Sequence, residues 1–559
     1  MIRKLVYILQ ASLITVGGLI LALGAIFWMA AMMDSLFSYR SPLANNPPEP
    51  GEGSGVRSTR RVVFILVDAL REDTALNSQV MPFLAQLRQQ GATATMHSRP
   101  PSYSQPGYST LLVGAWPDLN DGPAVNLEYE DIPTFTQDDL FTAAHRAGLK
   151  TAISAFNWFD KLVPQEAVDI SFYTTEEDQL ADEQVVAAAI PWLQTDAYQL
   201  ILIHFDQVDY AGHHEGGPQD PRWDEAARRA DDLIRRLAAI LDLSQDTILV
   251  VSDHGQIDGG GHGGDEAVTL TEPFVLAGAG VIPGEYGDIN LVDVAPTLAT
   301  LLGVNLPATS QGRPLTEMLE LVPEQAQALQ GRLTAQQGEL LEKYTQAIGQ
   351  PFELPAGTSV AAFQKALEDA RSARLVREQL LRTLLALIVA VLPLYWIVRS
   401  KRQVIWLVAG ALLYVLTFNV LYAVVGGHTY SLSWVSSAEE LITFLAKIIL
   451  SALIISWALV LLGLKLYRQS PSRAAGLIIG FVALTIYALA LPVLFSYAIN
   501  GLVVTWTLPQ FQSTFLAFFS LIQIAGIAIF GLMLAGLTGV AVWFAGKISQ
   551  RDTDSLQPG

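Results

Sequence analysis

Of the eight histidines in this 559-residue chain, two lie with an aspartate in the turn-rich stretch "VVSDHGQIDGGGHGG" (250–264). Two more lie in "DQVDYAGHHEGG" (206–217), and an aspartate, Asp68, ends the apolar run "VVFILV" (62–67). Asp209 and His213 are four residues apart, so a carboxylate and an imidazole can reach one point. With His262 they form a two-nitrogen, one-carboxylate set suited to zinc with an open position. Asp68, Asp253 and His254 form a second set. Two divalent cations about 4 Å apart suit phosphoryl chemistry, because each polarises phosphate oxygens and together they offset charge on attacking and leaving atoms. The glycines around His262 let backbone approach such ions closely. A lone Asp after a strand is more often a helix cap or turn former. Three such clusters on one sheet edge call for more.

A nucleophile can be sought in "PPSYSQPGYSTLLVG" (100–114), where a helix-like run begins near Tyr108. A hydroxyl at a helix N-terminus gains from the local positive potential, as does a bound phosphate. Ser104 is the leading candidate; Ser102 and Ser109 offer the same group.

These residues need a scaffold that gathers distant positions. The runs 62–67, 200–203, 247–251 and 274–277 are short and apolar, as strands buried on both faces are. Between them, 80–90, 136–147, 182–194 and 222–241 show helical spacing. Strands alternating with helices predict an α/β domain with a mostly parallel sheet and helices on both faces. In such a sheet, sites gather at the carboxyl ends of the strands. Three of the four strands run into polar clusters there. Residues 41–60 ("SPLANNPPEPGEGSGVRSTR") read as a linker.

The rest of the chain is membrane-like. Hydrophobic residues make up 51% and charged residues 16%. Runs at 5–31, 380–398, 403–425, 441–463, 475–497 and 515–545 each approach the ~20 residues a bilayer span needs. The chain has no cysteine, so disulfides and thiolate ligands are excluded. A net charge of −19 argues against a nucleic-acid partner. Arg3 and Lys4, then Arg399, Lys401 and Arg402, then Lys465, Arg468 and Arg473, then Lys547 and Arg551 fall in alternate flanks of the spans. Loops 426–440 and 498–514 carry no Lys or Arg. That alternation predicts cytoplasmic termini and an extracytoplasmic 32–379, although Arg371, Arg374, Arg377 and Arg382 precede the second span on the outer side. Lys447, inside the fourth span, is flagged as functional by its setting.

The order "FILVDALRED", "PSYSQPGYSTLLVGAWP", "DQVDYAGHH", "SDHGQIDGGGHGG" resembles the alkaline phosphatase superfamily. It is most similar there to type I phosphodiesterase/nucleotide pyrophosphatase domains and to the GPI ethanolamine phosphate transferases. The likeness covers about 60–315 and includes "LVDVAPTLATLLGVNLPATSQGRPL" (291–315). It implies one metal on Asp209, His213 and His262, and another on Asp68, Asp253 and His254 with Ser104 contacting it as nucleophile. The ions implied are zinc, with manganese as the alternative. Gly107 and Tyr108 stand where many phosphodiesterases carry an Asn or His that binds phosphate, and are the expected substrate-binding pair. The Arg of a sulfatase Ser-x-Pro-x-Arg motif is absent.

The expected organisation is an anchor (1–33), linker (34–60), extracytoplasmic catalytic domain (61–320), helical connector (321–379), five-helix membrane domain (380–546) and cytoplasmic tail (547–559). The expected protein is an integral membrane enzyme, in the cell membrane if prokaryotic. It would move a phosphoethanolamine-type group from a phospholipid or other phosphodiester to a lipid or glycan acceptor through a phosphoserine. A phosphodiesterase or pyrophosphatase hydrolase is the alternative. An inactive scaffold or transporter is the alternative of another class, disfavoured because all six ligands and a hydroxyl are present.

Overall fold

The computed structural model describes residues 2–357, 359–399, 403–435 and 438–554. Eight strands form one sheet: β1 (Arg61–Val67), β2 (Ala92–His97), β3 (Thr151–Phe156), β4 (Ile170–Thr174), β5 (Leu200–Phe205), β6 (Asp246–Val251), β7 (Thr271–Gly278) and β8 (Gly284–Asn290). Their order is β4-β3-β5-β1-β6-β7-β2-β8. Every pairing is parallel except those of β7 with β6 and with β2. The expected mostly parallel sheet is therefore present, with one reversed strand. That reversal explains why the apolar run 274–277 leads into no polar cluster: its carboxyl end points to the opposite edge.

The central strands are buried throughout, as their uninterrupted apolar runs require. Val62, Phe64 and Leu66 pack into one core and Val63, Ile65 and Val67 into another, one on each face of the sheet. The expected helices are present as Pro82–Gln90, Leu140–Arg146, Gln179–Leu193 and Pro221–Ala238. The helix Pro323–Ala347 buries Leu329, Leu333, Leu340, Leu341 and Tyr344 in the first core, so it belongs to the domain's packing rather than standing off as a connector.

Residues 41–60 have no regular helix or strand, as their composition suggests. They are nonetheless tied down. Leu43 is fully buried, Ser41 Oγ donates to the Leu119 carbonyl (2.6 Å), and Gly55 N–H donates to the Gly303 carbonyl (2.9 Å).

Among the described residues, five helices are long and apolar enough to cross a bilayer: Ser12–Phe37, Val404–Val425, Leu441–Gly463, Pro471–Asn500 and Phe511–Lys547. The sixth expected run, 380–398, is the distal part of the 40-residue helix Val360–Arg399, where Leu380, Leu384 and Ile388 are exposed. Lys401 and Arg402 lie outside the described residues. Lys447 is exposed on its helix rather than buried inside the bundle. Of the basic residues before the second span, Arg374 and Arg382 both pair with Glu378 (3.0 and 2.7 Å).

Candidate active site

The register of the sheet brings the three clusters together. Val67 of β1 pairs with Phe205 of β5, and Leu66 with Val251 of β6, so the three neighbouring strands end at one level. Asp68 leaves β1 there and Asp253 leaves β6. The helix Gln207–His214, which follows β5, carries Asp209 and His213 one turn apart. Ala69 adopts a left-handed conformation (φ 60°), uncommon for a residue with a Cβ. The turn points its N–H at Asp253 Oδ1 (3.3 Å) and so links the ends of β1 and β6.

Two groups of ligand atoms converge. His254 Nε2 lies 3.4 Å from both Asp68 Oδ1 and Asp253 Oδ2. Asp209 Oδ2 lies 3.5 Å from His213 Nε2, and Asp209 Oδ1 lies 3.6 Å from His262 Nε2. The two groups adjoin, for the rings of His254 and His262 stack with centroids 4.0 Å apart. Ser104 Oγ is 3.2 Å from His254 Nε2. Every ligand residue expected from the sequence, with Ser104, thus falls in one place.

The chemistry of the donors fits divalent cations. His262 Nδ1 donates to the Ser102 carbonyl (2.8 Å), and His254 Nδ1 faces the Gly255 carbonyl (3.1 Å). Each outer contact places the proton on Nδ1 and turns the bare Nε2 toward the carboxylates. Asp68 Oδ1 and Asp253 Oδ2 are buried and accept no hydrogen bond among the described residues. Buried carboxylate oxygens without donors are costly unless a cation faces them.

The electrostatics agree. Burial, and then the Asp68 carboxylate, push the Asp253 carboxyl well above its usual range. Burial pushes the His254 imidazole down to about 4, so it is neutral and free to ligate. At Asp209, burial acts upward but is outweighed by the imidazoles of His213, His262 and His254, so that carboxyl moves down.

Ser104 opens the helix Ser104–Val113, which runs directly into the ligand groups. That approach demands a glycine at 107, where a Cβ would stand 2.7 Å from the Asp253 Cβ. Tyr108, one turn beyond Ser104, is buried beneath the site. Its ring stacks on Phe159 (4.6 Å), and its hydroxyl donates to Asp68 Oδ2 and contacts His204 Nε2. Gly107 thus packs against Asp253, and Tyr108 against Asp68.

Three further residues stand at the site. His204 Nε2 lies 3.3 Å from Asp68 Oδ2. Gln256 donates from Nε2 to Asp209 Oδ1 (2.6 Å) and accepts the Gly261 N–H (3.0 Å), joining the helix of Asp209 to the loop of His262. Asn126 Oδ1 accepts the Gln105 N–H beside the nucleophile (3.0 Å). Gln256 lies inside a quoted cluster and His204 directly follows the apolar run 200–203, so both were within reach of the sequence. Asn126 carries no local signal.

The loop of His262 is also held from the membrane part. Ser433, between two membrane helices, accepts the Gly264 N–H (2.9 Å) and donates to Glu266 Oε2 (2.8 Å). Gly261 (φ 110°) lies so close that a Cβ would meet the Ser433 carbonyl at 2.3 Å. Ser433→Ala leaves the buried Gly264 N–H without its partner. Such an orphan costs about 1–3 kcal/mol, so the variant should lose metal to EDTA at a several-fold lower chelator concentration than the wild type. Equal resistance, read by residual metal per chain, would show that this contact does not support the His262 loop.

The sequence matches the type I phosphodiesterase / nucleotide pyrophosphatase family over residues 62–121 and 127–369, more than half of the chain. Human GPI ethanolamine phosphate transferase 2, catalytic subunit, is 24% identical over 324 residues, 51% of this chain and 32% of that protein. Mouse GPI ethanolamine phosphate transferase 3, catalytic subunit, is 28% identical over 287 residues, 46% of this chain and 26% of that protein. The chain thus spans about a third or less of these relatives. Among solved structures, human ectonucleotide pyrophosphatase / phosphodiesterase 5 aligns with 47% of this chain and 100% of its own, at 14% identity and a TM-score of 0.39. The family match takes in β1 with Asp68, the Ser104 helix and both histidine loops, and on that extent the chain belongs to the type I phosphodiesterase / nucleotide pyrophosphatase family.

Proposed function

We propose that this chain is a membrane-embedded phosphoryl-transfer enzyme that acts on phosphodiesters outside the cytoplasm. In this reading it transfers a phosphoethanolamine-type group to a lipid or glycan acceptor through a phosphoserine. The observation that carries it is the position of Ser104 Oγ, 3.2 Å from His254 Nε2, beside two convergent sets of acidic and imidazole groups. The relatives named as GPI ethanolamine phosphate transferases support the head group.

Asp209, His213 and His262 would hold one divalent ion, and Asp68, Asp253 and His254 the other, with Ser104 beside it. Zinc suits the mixed nitrogen and oxygen ligands, and manganese is the alternative. Ions so held would lower the pKa of the Ser104 hydroxyl and offset charge on the phosphate oxygens. Ser104 Oγ attacks phosphorus, the bond to the departing lipid alcohol breaks, and that alcohol carries away the serine proton. The acceptor's hydroxyl oxygen then attacks the phosphoserine, the Oγ–P bond breaks, and the acceptor's proton restores the serine. Water in place of the acceptor gives hydrolysis, the second reading, which the family name favours. The alternation of Lys and Arg between loops supports cytoplasmic termini and an outward-facing site. Exposure of Lys447 on its helix speaks against a transport path through the bundle.

The test uses the purified full chain with phosphatidylethanolamine vesicles, with and without a hydroxyl-bearing glycolipid. Phosphoethanolamine on the glycolipid is the expected product, whereas free phosphoethanolamine alone would make the protein a hydrolase. Two ions per chain by elemental analysis are expected, and EDTA should lower turnover by two orders of magnitude or more, on the order expected when a two-metal site is emptied. Full activity in EDTA would overturn the reading.

A further inference from the structure

Between the extramembrane domain and the start of the last membrane helix lies a cavity of about 280 Å³. Arg99, Trp116 and Asp265 line it from the catalytic side, and Leu508, Phe511 and Gln512 from the membrane side. Arg99, Trp116 and Pro117 also line a narrow space that reaches Gly107 and Asp253 at the metal-facing groups. The two spaces share Arg99, Trp116 and Pro117, so the cavity adjoins the candidate site.

Four charged residues line it: Arg99, Asp118, Asp265 and Arg371. Arg371 faces Asp118 at 3.6 Å. The Arg99 guanidinium carbon lies 4.4 Å from the Trp116 ring centroid, and Arg99 feels the Asp118 carboxylate but makes no ion pair or side-chain hydrogen bond among the described residues. Asp265 likewise has no such partner, and it is exposed. One unpaired cation and one unpaired anion thus line a single cavity. Its membrane-side rim mixes Gln510 and Gln512 with apolar groups, of which Leu508 and Phe511 pack with Leu36, near the end of the first membrane helix.

We propose that this cavity admits a zwitterionic phospholipid from the bilayer, with Arg99 binding the head-group phosphate and Asp265 its ammonium, on the way to Ser104. A planar guanidinium suits a phosphate because it offers several N–H donors at fixed angles. The contact with the Trp116 ring does not use those donors in side-chain hydrogen bonds. The acyl chains remain beside Leu508 and Phe511, in the membrane layer. This assignment rests on the phosphodiester-transfer reading of Ser104 and adds the residues that select the lipid donor.

The test measures kcat/KM of the full-length protein on phosphatidylethanolamine vesicles, phosphatidylglycerol vesicles and water-soluble bis(p-nitrophenyl) phosphate. Arg99→Ala should lower the ratio of lipid to soluble-diester kcat/KM about tenfold, the usual scale of one charge-assisted hydrogen bond, and Arg99→Lys should recover part of it. Asp265→Asn should erase the preference for phosphatidylethanolamine over phosphatidylglycerol. If both variants turn over the soluble diester and these ratios stay within twofold of the wild type, the cavity assignment is overturned while the enzyme reading stands. A wild-type protein inactive on every substrate would overturn both. If Arg99→Ala folds poorly it loses all three activities together, and the lipid to soluble-diester ratio is then read from Arg99→Lys, where a ratio within twofold of the wild type overturns the assignment.

Discussion

Ser104→Ala is expected to lower turnover of a phosphodiester by on the order of 10³-fold or more, while the protein still binds two ions per chain. The side chain removed is the attacking group, but it is not one of the six acidic and imidazole ligands, so the metal content should survive. Three serines in the stretch 102–109 offered the same hydroxyl, and the geometry separates them. Ser102 Oγ accepts the Gly263 N–H (2.9 Å) and donates to the Gly264 carbonyl (3.1 Å), so it is bound up in holding the His262 loop. Ser109 Oγ donates back to the Gln105 carbonyl (2.7 Å) inside the helix. Only Ser104, of the three, stands against His254 Nε2. Intact mass spectrometry of acid-quenched enzyme should show an added phosphoethanolamine in the wild type and none in the variant. Turnover by Ser104→Ala within tenfold of the wild type would mean that water attacks directly.

How much of this was legible follows from which contacts are local. β1, β5 and β6 announce themselves because each is an apolar run ending in a polar cluster, and parallel packing puts those ends on one edge. β3 and β4 belong to the same parallel set, yet "TAISAF" is broken by small and polar residues and "ISFYT" is only partly buried, so neither shows a continuous apolar run. β8, "GEYGDIN", is an exposed edge strand whose existence depends on pairing with β2. The ligands were readable because Asp and His in turns after strands have few structural uses together. Tyr108 was not, because what decides its place is Asp68, forty residues earlier, and Phe159, far beyond. The docking of residues 41–60 and the grip of Ser433 on Gly264 are contacts between distant segments, which no local pattern encodes.

Asp253→Asn should produce two opposite changes in one protein. Asp253 is wholly buried, and its ligand oxygen lies within 4.8 Å of those of Asp68 and His254. With metal present, the variant loses an anionic ligand. It should bind one ion rather than two, and turnover should fall on the order of 10³-fold, as expected when a two-metal clamp becomes a single ion. Without metal the balance reverses. Burial and the neighbouring Asp68 raise the Asp253 carboxyl well above its unfolded value. For an acid, that direction means the ionised form opposes folding at any pH above the unfolded value, neutral pH included. An amide of the same shape removes the penalty. Its oxygen can still accept the Ala69 N–H, and its NH₂ can donate to Asp68 Oδ1, which has no donor among the described residues. The EDTA-treated variant should therefore melt a few degrees above EDTA-treated wild type, about the shift that 1–2 kcal/mol produces in a domain of this size. The wild type should gain far more than the variant when zinc is restored. An aspartate retained only for structure would destabilise on substitution in both states, so a metal-free variant that melts below the wild type would remove Asp253 from the metal-holding set.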